Sequence, residues 1–263
     1  MVRAVTVDEK TAMTGGTRFS GIKAVVTGGA SGIGAATVRL LLDGGARVAS
    51  LDIASSTPGT GSIDLRADVS DPDVSTVLID AVERLGVLDV LVNNAGVGAV
   101  GTIESSDDDV FRRLFDINVL GIVRVTRAAM PYLRESSHAS VVNTCSVSAQ
   151  LGLPGRAAYS ASKGAVLALT MAMATDYLAD EIRVSCVAPG TVNSPWVGRL
   201  LEAADDPEQM LAALEARQPT GRMVSPEEVA AAICFLASPE AGSITGTVLN
   251  VDGGWKTLRP APS

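Results

Sequence analysis

Three side chains near the middle of the chain have types and spacing suited to proton transfer: Ser146, Tyr159 and Lys163. Tyr159 and Lys163 stand at i and i+4 in "AAYSASKGAV", so on a helix they share one face. A phenol titrates near 10 in water, and a neighbouring ammonium favours its ionised form. Bringing a phenol to about 7 takes roughly 4 kcal/mol, which a cation at close range in a partly desolvated cleft can supply. Such a phenol can take or give the proton on a substrate oxygen. The small neighbours Ala157, Ala158, Ser160, Ala161, Ser162 and Gly164 leave room beside that face. A buried tyrosine beside a snorkelling lysine has the same spacing, so the pair alone does not decide. Ser146 ends the apolar run "VVNTCS", where its hydroxyl can hold a substrate oxygen.

A second chemical signature lies near the N-terminus, in "VVTGGASGIGAATVRLLL". Gly28, Gly32 and Gly34 follow an apolar run and open a helical pattern, in a G-x-x-x-G-x-G arrangement; G-x-G-x-x-G fails because position 37 is Thr. Glycines there let the backbone approach a pyrophosphate, and the helix N-terminus offers free N–H groups. Ser31 either caps that helix or bonds a phosphate oxygen. Asp52 ends the next apolar run, where a carboxylate can accept from adenosine ribose hydroxyls. It would repel a 2′-phosphate, and "SLDIASS" holds no arginine, so NAD is expected rather than NADP. The alternative for Asp52 is an ordinary loop-start residue.

These groups need a scaffold that gathers them. Strands are expected at 23–28, 46–52, 87–96, 140–146, 182–190 and 246–254, with a weaker one at 62–67. Helices are expected from Gly32 to Asp43 and at about 71–85, 107–133, 156–178 and 225–237, with a helical insert at about 195–215. Apolar strands alternating with helices mean an α/β fold, a doubly wound parallel sheet of seven strands flanked by helices, Rossmann-like and a single domain. Residues 1–18 read as a flexible leader, and 19–263 as one dinucleotide-binding catalytic domain with a substrate-loop insert at about 191–217.

Composition narrows the function classes. The 263 residues are 47% hydrophobic and 19% charged, enough for a full core. A formal charge of −8 without a basic stripe argues against a nucleic-acid partner. One histidine, His138, leaves no His-rich metal site and makes a Ser-His-Asp triad improbable. Cys145, Cys186 and Cys234 form no CxxC and read as reduced thiols of a cytoplasmic protein. No apolar run is long enough to span a membrane.

Taken together, "TGGASGIG", "NNAG", "INV", "CSVSA", "YSASK" and "APGTV" resemble the short-chain dehydrogenase/reductase family in order and spacing, over about residues 19–255. The resemblance implies that Tyr159 is the general acid/base and that Lys163 binds the nicotinamide ribose. Ser146 would orient the substrate carbonyl, and Asn118 would act through a helix kink and a water linked to Lys163. Gly28, Ser31, Gly32, Ile33, Gly34, Asp52, Asn94, Ala95 and Gly96 would line the cofactor, with Asp68 and Val69 at the adenine. Pro189, Gly190, Val192 and Ser194 would border the nicotinamide, Ser194 standing where Thr is common. Cys145 stands where a second serine is frequent and reads as a packing change. The stretch between Asp52 and Asp68 is short for the family, so a helix often found there is expected to be missing. A homotetramer is implied too.

"PGTVNSPW", "RQPTGR" and "VDGGW" are similar to a subgroup of cytosolic 3-hydroxybutyrate and 2-keto-3-deoxy-sugar-acid dehydrogenases. That likeness implies a small hydroxy acid or sugar acid, its carboxylate held by Arg156, Arg217 and, one residue out of alignment, Arg199. Trp196 is either a flap over the substrate or core, Arg222 is structural, and the arginines have surface positions as their alternative reading. A neutral sugar or polyol dehydrogenase and a 3-oxoacyl thioester reductase are the rival activities. A non-enzymatic nucleotide-binding protein usually loses the tyrosine or lysine, and both are present.

Overall fold

The computed structural model describes residues 18–54 and 61–259. The expected leader therefore lies outside the described residues apart from Arg18. β1 (Lys23–Thr27), β2 (Arg47–Asp52), β3 (Ile63–Arg66), β4 (Val90–Asn93), β5 (Ser140–Thr144), β6 (Arg183–Pro189) and β7 (Val248–Val251) form one sheet. Its order is β3-β2-β1-β4-β5-β6-β7, and every neighbouring pair is parallel. The chain runs outward from β1 in one direction, then returns to β4 and fills the other half. This is the expected doubly wound arrangement.

Period-two alternation explains why the strands are apolar throughout. In β1, Val25 joins the core on one face with Leu91, Leu133 and Met173, while Ala24 and Val26 join the other with Leu41, Ile233 and Leu236. α2 (Val74–Leu85), α4 (Gly121–Leu133) and α5 (Ala157–Asp176) cover the first face. α1 (Gly32–Asp43) and α8 (Pro226–Ala237) cover the second. Both faces are dry, as a parallel sheet requires.

Two expectations are refined. The helix at 107–133 is three segments: α3 (Asp108–Phe115), a π-helical turn at Asp116–Leu120, then α4. The widened turn carries Asn118, whose amide bonds the backbone of Val97 instead of facing an ordinary helix surface. The insert is two helices, α6 (Pro195–Glu202) and α7 (Pro207–Glu215), each opened by a proline whose missing N–H costs nothing at that position. The expected loss of a helix between Asp52 and Asp68 falls largely on residues 55–60, outside the described residues.

α8 begins with a capping box in which Ser225 accepts from the Glu228 N–H at 3.1 Å and Glu228 accepts from the Ser225 N–H at 2.8 Å. Arg222 donates twice to the same carboxylate, at 2.9 and 2.6 Å, so its expected structural role holds. Those contacts, Arg222 first and the Ser225 N–H second, lower the Glu228 pKa to about 2. This stabilisation is present above the ordinary carboxylate range and is lost as pH falls toward 2. Ser225→Ala removes one cap and is expected to cost about 1 kcal/mol in a urea titration, with no change in activity.

Candidate active site

Reversal of strand order between β1 and β4 opens a crevice at the carboxyl ends of the strands. The cleft there has a volume of about 1060 Å³. Every residue expected from the sequence to bind or act lines it except Gly34 and Asn118, which stand behind its wall.

At one end, Gly28 (φ +67°) and Gly32 (φ +53°) adopt left-handed backbone that disfavours other residues. A Cβ on Gly34 would strike the Gly28 carbonyl oxygen, so this glycine permits close packing of α1 on the loop. Ser31 occupies the N-cap of α1, but its hydroxyl makes no capping bond, which leaves it and the first-turn N–H groups available to an anion. Asn94 ties the loop to β4 by donating to the carbonyls of Thr27 and Gly28 at 3.2 and 3.1 Å. Thr27 Oγ1 accepts from the N–H groups of Asn94 and Ala95, both at 3.1 Å.

Asp52 has a structural duty that the sequence did not disclose. Its Oδ2 accepts from the Ala30 N–H at 3.0 Å and its Oδ1 from the Ala54 N–H at 2.9 Å, clamping the glycine loop to the end of β2. A carboxylate has about four acceptor sites, so each oxygen keeps capacity for a ribose hydroxyl. Asp68 accepts from both the hydroxyl and the N–H of Ser70, which lowers its pKa and keeps it charged. Val69, beside it, is buried. A carboxylate with spare acceptor capacity, a glycine cradle and a bare helix N-terminus fit a nicotinamide dinucleotide.

Halfway along the cleft, α5 carries Tyr159 in its first turn and Lys163 in its second. Lys163 Nζ lies 6.0 Å from the Tyr159 ring centroid and donates to the Thr144 carbonyl at 2.8 Å. The same strand end delivers Ser146, whose Oγ accepts from the Ser148 N–H at 3.2 Å. Asn118 is fully buried; Oδ1 accepts from the Val97 N–H at 2.8 Å, and Nδ2 donates to the Val97 carbonyl and to Ser162 Oγ, both at 3.0 Å. Ser162 Oγ in turn donates to the Tyr159 carbonyl at 2.8 Å. Thus Asn118 reaches α5 through Ser162. A Cβ on Gly96 would stand 3.1 Å from Asn118 Oδ1 and 3.5 Å from Lys163 Nζ, so glycine keeps that wall open.

Across from Ser146, the loop after β6 closes the far wall. Pro189 ends that strand, and the Gly190 N–H donates to Val251 at 3.0 Å, joining the turn to β7. A Cβ on Gly190 would lie 2.6 Å from Gln218 Oε1, so this buried glutamine supports the turn from behind. Gln218 went unnoticed in the sequence because "RQPTGR" gives no hint that its middle folds inward. Val192 bridges to Val224, and Ser194 caps α6 without a side-chain bond.

Trp196 packs against Gly98, where a Cβ would come within 2.9 Å of the indole, and Arg156 lies 4.9 Å from the ring centroid on a cation–π contact. Trp196 is half-buried and lines the cleft, which sets it outside the core. Arg156 Nη1 donates to the Ala99 carbonyl at 3.0 Å. Burial first, then the Arg217 cation, lowers the Arg156 pKa, while Tyr159 acts in the opposite direction. Arg156 and Arg217 therefore share one wall next to the phenol. Arg199 lines the cleft from α6 but is not among the groups acting on Arg156. Among the described residues, none of the three arginines forms an ion pair. No group of three or more metal-ligating side chains occurs among the described residues, and no helix there is long and apolar enough to cross a membrane.

Comparison with known proteins gives this geometry a family. A model described as enoyl-(acyl carrier protein) reductase matches residues 28–256. The cis-4-hydroxycyclohexanecarboxylate dehydrogenase of Sinomonas cyclohexanicum is 39% identical over 254 residues, covering 92% of this chain and 100% of its own. The L-fucose dehydrogenase of Bos taurus is 39% identical, covering 92% of each chain. The ligand-free aldohexose dehydrogenase of Thermoplasma acidophilum superposes with a TM-score of 0.88 at 35% identity, covering 95% of this chain and 99% of its own. With matches spanning nearly its whole length, the chain belongs to the short-chain dehydrogenase/reductase family, oxidoreductases acting on CH–OH donors.

Proposed function

We propose that the chain is an NAD-dependent dehydrogenase of a small hydroxy acid or sugar acid. Bound nicotinamide would supply the hydride acceptor. Tyr159 holds the carbinol oxygen and takes its proton, and Ser146 fixes the same oxygen from the opposite side. Lys163, anchored on the Thr144 carbonyl, keeps its ammonium beside the phenol and the nicotinamide ribose. Asn118 holds Val97 and, through Ser162, the first turn of α5, so that Tyr159 does not drift. Gly28, Ser31, Gly32, Asp52, Asp68 and Asn94 bind the nucleotide end, and the carboxylate of Asp52 selects against a 2′-phosphate. The insert at about 191–217 closes over the substrate. Exposed Phe115 and Leu120 around the π turn and Met171 on α5 support a homotetramer built on those helices.

One observation carries the acidic substrate: Arg156 and Arg217 repel each other on the wall beside Tyr159, and neither has a carboxylate partner among the described residues. A half-buried Arg156 beside an exposed Arg217, neither with a counterion, is a site for an anion, and their planar forks match a carboxylate. The relative named for a hydroxycyclohexanecarboxylate supports this reading. A neutral sugar is the second reading, supported by the L-fucose dehydrogenase relatives.

A panel of hydroxy acids, sugars and alcohols, followed by NADH absorbance with NAD and NADP in parallel, separates the two. Arg156→Ala and Arg217→Ala are each expected to raise KM for the preferred acid about tenfold to a hundredfold, the worth of a charged hydrogen bond. If KM stays unchanged for every acid turned over, the carboxylate clamp is wrong. Preference for NADP would refute the role given to Asp52.

A further inference from the structure

Beneath the catalytic centre lie two thiols that proton transfer does not use. Cys145 is the first residue beyond β5, and its N–H donates to the Val187 carbonyl at 2.9 Å, which keeps it on the strand next to β6, two residues on from Asn143, the register partner of Cys186. Both side chains are free and buried, and they pack in one small cluster with Ile122 and Val166. Each thiol shifts the acidity of the other, and the Thr170 hydroxyl acts on Cys186 as well. Cys145 Sγ donates to the Lys163 carbonyl at 3.3 Å.

The two thiols differ in reach and in acidity. Cys145 lines the floor of the cleft, whereas Cys186 lies below it. The neighbouring Cys186 thiol, helped by the Lys163 ammonium, lowers the Cys145 pKa, while the same neighbour and burial push Cys186 up. Cys234 provides the contrast. It sits in a separate cluster with α8, and burial pushes it up to about 12. A thiolate is the reactive form of cysteine, and of the three cysteines Cys145 lines the cleft, so oxidation starts there.

We propose that Cys145 and Cys186 form a dithiol modification site, at which a hydroperoxide entering the cofactor-free cleft joins them as a disulfide and stops turnover. The Cys145 sulfur attacks the peroxide, an S–O bond forms and the O–O bond breaks, and the departing oxygen leaves as water or an alcohol. Cys186 then attacks the sulfenic sulfur, the S–O bond breaks and water leaves. Two thiols are oxidised by two electrons and one peroxide is reduced. Closure draws Cys145 off the Lys163 carbonyl and pulls at its neighbours, Ser146 and the Thr144 carbonyl that anchors Lys163.

The test treats the whole protein with hydrogen peroxide, with and without saturating NADH, and reads intact mass, non-reduced peptides and activity. Cofactor-free protein is expected to lose two hydrogens, to yield a peptide pair joining Cys145 to Cys186, and to slow at least about tenfold. Dithiothreitol reverses all three. Cys145→Ser and Cys186→Ser each abolish the cross-link, while Cys234→Ser keeps it. A stable sulfinic acid on Cys145 with Cys186 untouched, a cross-link through Cys234, or inactivation with all thiols intact overturns the proposal. Protection by NADH rests on the proposed cofactor position; the cross-link does not, so the two readings fail separately.

Discussion

Replacing Tyr159 by Phe is expected to lower kcat about a thousandfold, within the range for a positioned general acid/base. That factor corresponds to about 4 kcal/mol of barrier. The substitution deletes one oxygen and keeps the ring, which stays half-buried at the start of α5 with its backbone carbonyl still held by Ser162. Lys163 remains anchored on the Thr144 carbonyl. Cofactor affinity and thermal stability should therefore stay close to wild type, and NADH titration by fluorescence checks the first of these. Turnover within a few-fold of wild type would refute the role of the phenol. Loss of turnover together with loss of NADH binding would point instead to collapse of the cleft.

Gly34→Ala is expected to weaken cofactor binding about a hundredfold or more and to cost about 1–3 kcal/mol of stability through overpacking. The added methyl would overlap the Gly28 carbonyl oxygen, come 2.7 Å from its carbon and 2.6 Å from Asn94 Nδ2. None of these can yield cheaply. Gly28 is held at φ +67°, and Asn94 is spent on the carbonyls of Thr27 and Gly28. Relief requires α1 to move off the glycine loop, which carries away the helix N-terminus that would face the pyrophosphate. Gly164→Ala is the control. Its Cβ would meet nothing within 4 Å in the interior of α5, so stability should hold or rise by up to about 1 kcal/mol. Calorimetry and NADH titration on both variants distinguish a specific clash from a general intolerance of alanine.

The seven strands and the first helix were legible because their signals are local. Continuous β-branched runs such as "KAVVT" and a glycine cluster opening a helix depend on neighbours in the chain. The i, i+4 spacing of Tyr159 and Lys163 was equally local, since a helix alone brings the two onto one face. The π turn inside 107–133 has no sequence period of its own, and only the family resemblance implies a kink at Asn118. Within that turn Asn118 bonds Val97, a contact between residues 21 apart in the chain.

What the chain order alone determined was the set of elements, the glycine loop that opens α1 and the helix face shared by Tyr159 and Lys163. Each follows from backbone conformational preference or helical period, which act over a few residues. Tertiary structure alone decided which partners those groups keep. Asp52 clamps Ala30, Lys163 leans on Thr144, and Arg156 faces both Trp196 and Arg217. It also set Cys145 against Cys186, two cysteines whose separation in sequence gave no sign of a pair. Such contacts arise where parallel strands from distant segments end side by side, and their strength depends on burial, which no local pattern encodes.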